Sequence, residues 1–387
     1  MYNIEDKTTF IGNSMCLAVI ISNLSQMSVF VESGKTQLLS LPAWGGVIAV
    51  CLFMNLRPKV SKIRGVVFGF ICFIIYAFII GVINEEYSHS QLTKVIPLSF
   101  GMLIIGSSIG KNITYNDLER IYASYIISSF LVGLDVFNIY FLGQDWNSRS
   151  YLYDEKNSFS QIMLTSWIFI LFAKIQTSKF LSRIIYLLIF LFITLEIVIM
   201  KSRATIICMP LVIGIAAANG KVSPRFKQFS ILILIIFAFL MIDRDFSDFI
   251  INSILYGGRD STDINDISSG RSDEWVAFFD DWTNPVLGVG RCKRESIILT
   301  ALLEFGIIGG IPILLLAFYP VTFLLKNYRR YKSNIHFLIF TALAISYVLN
   351  GIFEQLAPFG PGVKCYFLWI MLGVLASKNK VLMTKHI

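Results

Sequence analysis

Charge is scarce in this chain, and that scarcity decides its class. Asp, Glu, Lys and Arg make up 15% of the 387 residues, against about 25% in a soluble globular protein. Hydrophobic residues make up 55%, and the mean hydropathy is +0.68. An ordinary soluble domain is excluded, and an all-α polytopic membrane protein is expected. Histidine is rarer still: His89, His336 and His386 are too scattered for a metal site, and neither metal nor cofactor is expected. The cysteines at 16, 51, 72, 208, 292 and 365 fall in apolar runs, Cys292 excepted, so they form no disulfide or metal-ligand pattern. No internal repeat, low-complexity tract or appended soluble domain stands out, so 1–387 reads as one integral membrane domain. Met1 to Thr8 is polar and mildly acidic and does not read as part of a cleavable signal. A net charge of +8 would raise nucleic acid as a partner of a soluble protein. Here membrane topology accounts for it, and the partner expected is the lipid bilayer.

Long apolar runs are what the chain has in abundance. A span needs roughly 20 apolar residues, and the pattern predicts about twelve. They lie near 9–31, 38–54, 64–83, 94–110, 121–142, 158–175, 181–199, 204–218, 228–242, 303–325, 335–353 and 361–376. Lys and Arg concentrate in alternate connections, such as Arg57, Lys59, Lys62 and Arg64, or Lys326, Arg329, Arg330 and Lys332. Basic loops stay in the cytoplasm, so both termini are expected there and residues 243–296 outside. Asn112-Ile113-Thr114 matches a glycosylation sequon but falls on the inner side, and is taken as chance.

The 243–296 loop is the one long polar interruption, with eleven acidic and six basic side chains between Asp243 and Glu295. Phe246, Phe249, Ile250 and Ile254 recur at helical spacing, as do Trp275, Phe278, Phe279 and Trp282. The second set carries Asp273, Glu274, Asp280 and Asp281 on its other faces. Ser272 is its expected N-cap and Pro285 its stop. A short helix with an aromatic and an acidic face suits a lid lying on the membrane.

Basic residues outside the inner connections carry the chemistry. Lys201-Ser202-Arg203 falls at the outer end of the seventh span, with almost no loop around it. Arg203 is there either a snorkelling anchor or a guanidinium aimed at an anion. Arg271 opens the aromatic helix. Two arginines across one outward cavity would suit a pyrophosphate, which their planar forks grip well. After Gly288-Val289-Gly290 come Arg291, Lys293 and Arg294. Glu295 is then either an ion-pair partner of Arg294 or a carboxylate base at the site. Asp135 and Glu196 lie within spans, where carboxylates are functional by default or hydrogen-bond within the bundle. Glu304 is expected to cap or orient the tenth span. Asp145, Trp146, Tyr151, Tyr153 and Asp154 suit sugar contact or an interfacial aromatic belt.

Three places in this pattern resemble the O-antigen ligase and polymerase superfamily of bacterial envelope glycosyltransferases. They are Lys201-Ser202-Arg203-Ala204-Thr205; Gly270-Arg271-Ser272-Asp273-Glu274-Trp275 through Gly288-Val289-Gly290; and Glu295-Ser296 followed by Leu299, Leu302, Glu304, Gly306 and Gly309. The large outer loop between ninth and tenth spans matches the family layout, a fold of GT-C type. The resemblance implies that Arg203 and Arg271 contact the pyrophosphate of an undecaprenyl-linked oligosaccharide. Arg291 and Arg294, among the cations after Gly290, and Trp275 of the aromatic helix are expected to bind the same substrate. It implies glycosyl transfer without a metal at the outer face of the bacterial inner membrane, alongside a chain-length regulator protein. Ligases of the family carry His-Asn where this chain has Glu295-Ser296. An acidic residue with Ser is common in the polymerases of O-antigen and capsule pathways, so a polymerase is expected, with Glu295 as its base. A ligase, or a flippase or other transporter, are the alternatives.

Overall fold

In the computed structural model the described residues are 4–142, 156–174, 180–219, 242–248, 251–252, 270–292, 294–360 and 363–378. Every regular element among them is a helix. In chain order they are α1 (Ile4–Leu24), α2 (Ser28–Glu32), α3 (Thr36–Phe53), α4 (Arg64–Ile83), α5 (Glu85–Ser88), α6 (Gln91–Ile109), α7 (Tyr115–Val136), α8 (Lys156–Phe169), α9 (Phe180–Ile199), α10 (Arg203–Ala218), α11 (Arg244–Asp248), α12 (Arg271–Asp281), α13 (Ile297–Tyr331), α14 (Ile335–Phe353) and α15 (Val363–Ser377). Single π-helical turns extend α7 and α8, at Phe137–Phe141 and Ile170–Lys174.

Among the described residues seven helices are long and apolar enough to cross a membrane: α3, α4, α6, α7 with its π extension, α9, α13 and α14. The protein is a multi-pass membrane protein, all-helical over the described residues. Three shorter apolar helices, Thr8–Leu24, Arg203–Ala218 and Cys365–Ser377, fall on the first, eighth and twelfth predicted spans. The sixth predicted span falls on α8, and the ninth, 228–242, lies almost wholly outside the described residues. So does the 253–269 part of the loop.

Outward faces are apolar, as lipid requires: Phe68, Ile75, Phe78 and Val82 of α4 are all exposed. Inside, α15 packs along α6 with their backbones nearly touching. A Cβ on Gly106 or Gly373 would overlap the other helix's backbone, and small residues are what allow this approach in lipid.

The long connections sort to two ends. At one end Lys62 Nζ donates to the Lys378 carbonyl (3.0 Å), and Tyr328 OH donates to Asn219 Oδ1 (3.1 Å). Here Thr114 and Asp117 close a reciprocal cap on α7, so the threonine of the sequon has a structural task. Lys378 lies over the Tyr115 ring at 3.9 Å, and that ring stacks on His336 at 4.7 Å. Burial pushes the Lys378 ammonium down to about 8, with Asp117 pulling it back up.

At the other end α13 departs from the predicted span. It starts at Ile297 rather than 303 and breaks at Gly306, whose φ and ψ are 57° and −159°. An intact helix would bond the 307 and 308 amides to the 303 and 304 carbonyls. Instead Val289 N donates to Leu303 O (2.8 Å) and Gly290 N to Glu304 O (3.1 Å). Ile307 N donates to Pro285 O (2.8 Å) and Ile308 N to Val286 O (3.2 Å). The loop thus takes over the bonds that the helix gives up. Gly288 and Gly306, both at positive φ, face each other so closely that a Cβ on either would strike the opposite backbone.

Two measurements check these points. Gly306→Ala is expected to cost about 2–4 kcal/mol, from strain and overlap together, whereas Gly45→Ala, where a Cβ meets open space, stays near wild type in thermal melting. For Lys378, the folded value below the ordinary one means that the unfolded chain binds more protons between about pH 8 and 10.5. Stability should therefore rise with pH across that window, and Lys378→Met should abolish that rise.

Candidate functional site

The loop-bearing end of the bundle holds Arg203, Arg271, Arg294 and Glu295 of the residues that the sequence singled out. Helices α10 and α14 run antiparallel. Cys208 Sγ meets Ser346 O at 3.6 Å and Asn350 Nδ2 at 3.5 Å, while Asn219 lies with Tyr328 at the far end. Arg203, the first residue of α10, and Phe353, the last of α14, therefore lie at the same end. Arg203 is half-buried, behind Lys201 at φ 51° and the buried Ser202.

Arg271 is fastened to that end. Its Nη2 donates to Phe353 O (3.0 Å) and meets Glu295 Oε2 at 2.8 Å. The guanidinium lies over the Phe353 ring at 5.7 Å, and its buried Nε has no hydrogen-bond partner. Glu295 thus pairs with Arg271, and not with Arg294 as one reading of the sequence had it. Arg294 pairs instead with Asp281 at the end of α12. Glu274 takes the Glu295 amide at 3.0 Å, so three contacts tie α12 to the stretch leading into α13. Arg291 is exposed.

The lid helix differs from expectation in its ends and its faces. Gly270, at φ 80°, is the N-cap and Ser272 lies inside the helix. The helix ends at Asp281, before Pro285, where Trp282 turns onto Phe278 (5.0 Å between rings). The aromatic stripe divides. Phe278 and Trp282 pack inward on Leu299, Leu302 and Leu303, while Trp275, Val276 and Phe279 stay exposed beside the exposed Asp273 and Asp280. At 100° per residue these form inward, apolar and acidic sectors.

Glu304 does not cap α13; Ser296 does, accepting from Ile298 N at 3.3 Å. The Glu304 carboxylate, buried to 1% exposure, accepts from Ser90 Oγ and from Cys292 N (3.1 Å). Tyr87 OH reaches the carbonyls of Gly288 (2.8 Å) and Leu287 (3.2 Å), and Gln355 Nε2 reaches Cys292 O (3.2 Å). Sequence reasoning missed Tyr87, Ser90 and Gln355 altogether. Only their place in connections on the outer side hinted at them. Burial pushes the Cys292 thiol up, and Arg294 opposes that shift.

Of the two acids in mid-span, Asp135 accepts from Ser28 N at 2.8 Å, which is the bundle-bonding reading. Glu196 is buried against Gly133 with no hydrogen-bond partner for either oxygen. Asp145, Trp146, Tyr151, Tyr153 and Asp154 lie outside the described residues, as do Phe249, Ile254 and Lys293. Among the described residues no three His, Cys, Asp or Glu side chains converge as metal ligands.

Compared with known proteins, the chain matches no protein-family model and no curated protein.

The clasp between α12 and the 291–295 stretch can be read through Cys292. Asp281→Ala removes the Arg294 partner. It should speed Cys292 modification by a membrane-impermeant maleimide a few-fold and move the rate's pH midpoint down towards that of a free thiol. An unchanged rate and midpoint would show that the ion pair does not hold this loop.

Proposed function

We propose that the protein is a glycosyltransferase that joins polyprenyl-pyrophosphate-linked oligosaccharide repeat units on the outer face of the bacterial plasma membrane. It is a polymerase of O-antigen or capsular polysaccharide. The observation that carries this reading is the position of Arg203 and Arg271 at one end of the α10–α14 pair, with Glu295 on Arg271. A donor pyrophosphate and an attacking hydroxyl need that combination: fixed cations, and a carboxylate next to them.

In the step we infer, an acceptor sugar hydroxyl attacks the anomeric carbon of the donor. The new C–O bond forms as the bond to pyrophosphate breaks, and the leaving group departs with the electron pair. Negative charge grows on it, so guanidinium groups already in place favour the transition state over the ground state. The hydroxyl proton passes to Glu295. That carboxylate is held by Arg271 until pyrophosphate competes for the same guanidinium, which couples donor binding to release of the base. As written, the step needs no metal.

Topology supports the same reading. Arg57, Lys59, Lys62 and Arg64 lead into α4, Lys111 follows α6, and Arg329, Arg330 and Lys332 lie at the end of α13. These helix ends lie with the Lys62–Lys378 and Tyr328–Asn219 contacts, away from Arg271, and by the basic-inside rule this supports a site on the outer face with both termini in the cytoplasm. Asn219 and Arg271 stand at opposite ends, as a crossing by 228–242 and a twelve-span GT-C layout require. A chain-length regulator would meet this outer face. One observation favours a second reading, a carrier: α13 is discontinuous at Gly306, as transporter helices at substrate sites are.

The test is reconstitution with lipid-linked repeat units, without nucleotide or ion gradient. Ladders of polymer are expected from wild type; transport without ladders would sink the enzyme reading. Arg203→Ala and Arg271→Ala should each abolish the ladder while still inserting. Glu295→Gln should lower kcat about 10²–10⁴-fold. Wild-type polymer from either arginine variant would remove that residue from the mechanism.

A further inference from the structure

One helical turn beneath the two arginines, the bundle buries polar groups that have no partner among the described residues. Gln161 of α8 is fully buried, and neither its Oε1 nor its Nε2 has a hydrogen-bond partner. Asn350 of α14 is 1% exposed. Its Nδ2 is engaged by Ser346 O (2.8 Å) and Cys208 Sγ, but its Oδ1 has no partner.

These carboxamides share a layer. Ser160 Oγ lies 3.0 Å from Thr205 Oγ1, which lies 3.1 Å from Ser202 Oγ, so the start of α8 is level with the start of α10. Cys208, less than a turn further along α10, meets Ser346 and Asn350. Tyr347 OH lies against Thr165 Oγ1 and donates to Gln161 O (3.4 Å). Since α8 and α14 run in opposite senses, one turn from Thr165 reaches Gln161 and one turn from Tyr347 reaches Asn350, at the same height. Arg203 begins α10 just above, and Phe353, which holds Arg271, lies three residues past Asn350.

An unmatched buried amide costs stability, so two kept side by side in a bundle interior call for a partner. A carboxamide kept for packing would be replaceable by Leu or Met with a gain in stability. Together the unmatched atoms offer two acceptor oxygens and one amino group with two donor hydrogens. Hydroxyls, each both donor and acceptor, complement that set; a second anion would not.

We propose that Gln161 and Asn350 form the sugar-reading floor of the site, hydrogen-bonding hydroxyl groups of the sugar attached directly to the donor pyrophosphate. This rests on the glycosyl-transfer reading above. Both side chains are closed off from the surface, so the sugar reaches them by parting the outer tips of α8 and α10 at the Ser160–Thr205–Ser202 hydroxyl row. The arginines hold the pyrophosphate, and the carboxamides distinguish a sugar-bearing lipid from a bare one.

The experiment measures binding of two probes to the purified full-length protein: a short-chain polyprenyl pyrophosphate, and the same lipid carrying one N-acetylhexosamine. Wild type should prefer the sugar-bearing probe by about tenfold, the yield of two modest hydrogen bonds. Gln161→Leu and the unbranched Gln161→Met should each cut that preference to about threefold or less, keep wild-type affinity for the bare probe, and melt at or above the wild-type temperature. Three results would overturn the proposal: variants that keep the preference, a wild type that has none, or variants that melt lower and weaken for both probes alike. A wild type that binds neither probe would remove the glycosyl-transfer reading itself, and this proposal with it.

Discussion

A buried backbone cannot leave its amides and carbonyls unmatched, and the buried break at Gly306 is where this protein meets that demand in an unusual way. The helix gives up two of its own hydrogen bonds, and four bonds to Pro285, Val286, Val289 and Gly290 replace them. The loop is therefore fixed into the membrane domain at the level of a helix backbone. Tyr87, Ser90 and Glu304 then add side-chain bonds around the same junction. The short stretch from Arg291 to Glu295 inherits its position from this anchor. The site is placed by backbone chemistry first and by charge second.

Charge at the site is balanced locally. Arg271 faces Glu295 and Arg294 faces Asp281, pairings that limit the cost of holding guanidinium groups near hydrocarbon. The three sectors of α12 fit the same setting. One packs on α13, one is apolar and open, and one presents acids to water. A helix with such sectors is at home where protein, lipid and water meet.

Hydropathy made much of this architecture legible and local chemistry much less. The run 64–83 coincides with α4 because an unbroken apolar stretch follows a basic flank. The start of α13 was missed because Ile297 to Leu303 is apolar but buried in protein, and length alone does not separate a buried lead-in from a span. Spacing put Trp275 and Phe278 on one aromatic face, but only packing on Leu299 and Leu303 decides which of them turns inward. Glu304 looked like a local helix cap because its true partner, Ser90, is 214 residues away. Gly288 and Gly306 were visible as glycines, but nothing local says that they face one another. The pairing of Arg271 with Glu295 is likewise a tertiary fact.

The patch and the break it repairs are separated by only about twenty residues of chain, a short loop to close. Both halves therefore leave the ribosome nearly together, before α14 and α15 have been made. A thirty-five-residue helix, roughly 50 Å long if straight, would overshoot a hydrocarbon layer of about 30 Å. Folding the break against its own preceding segment lets α13 divide into a lead-in and a crossing during membrane insertion, with no later element needed to complete it.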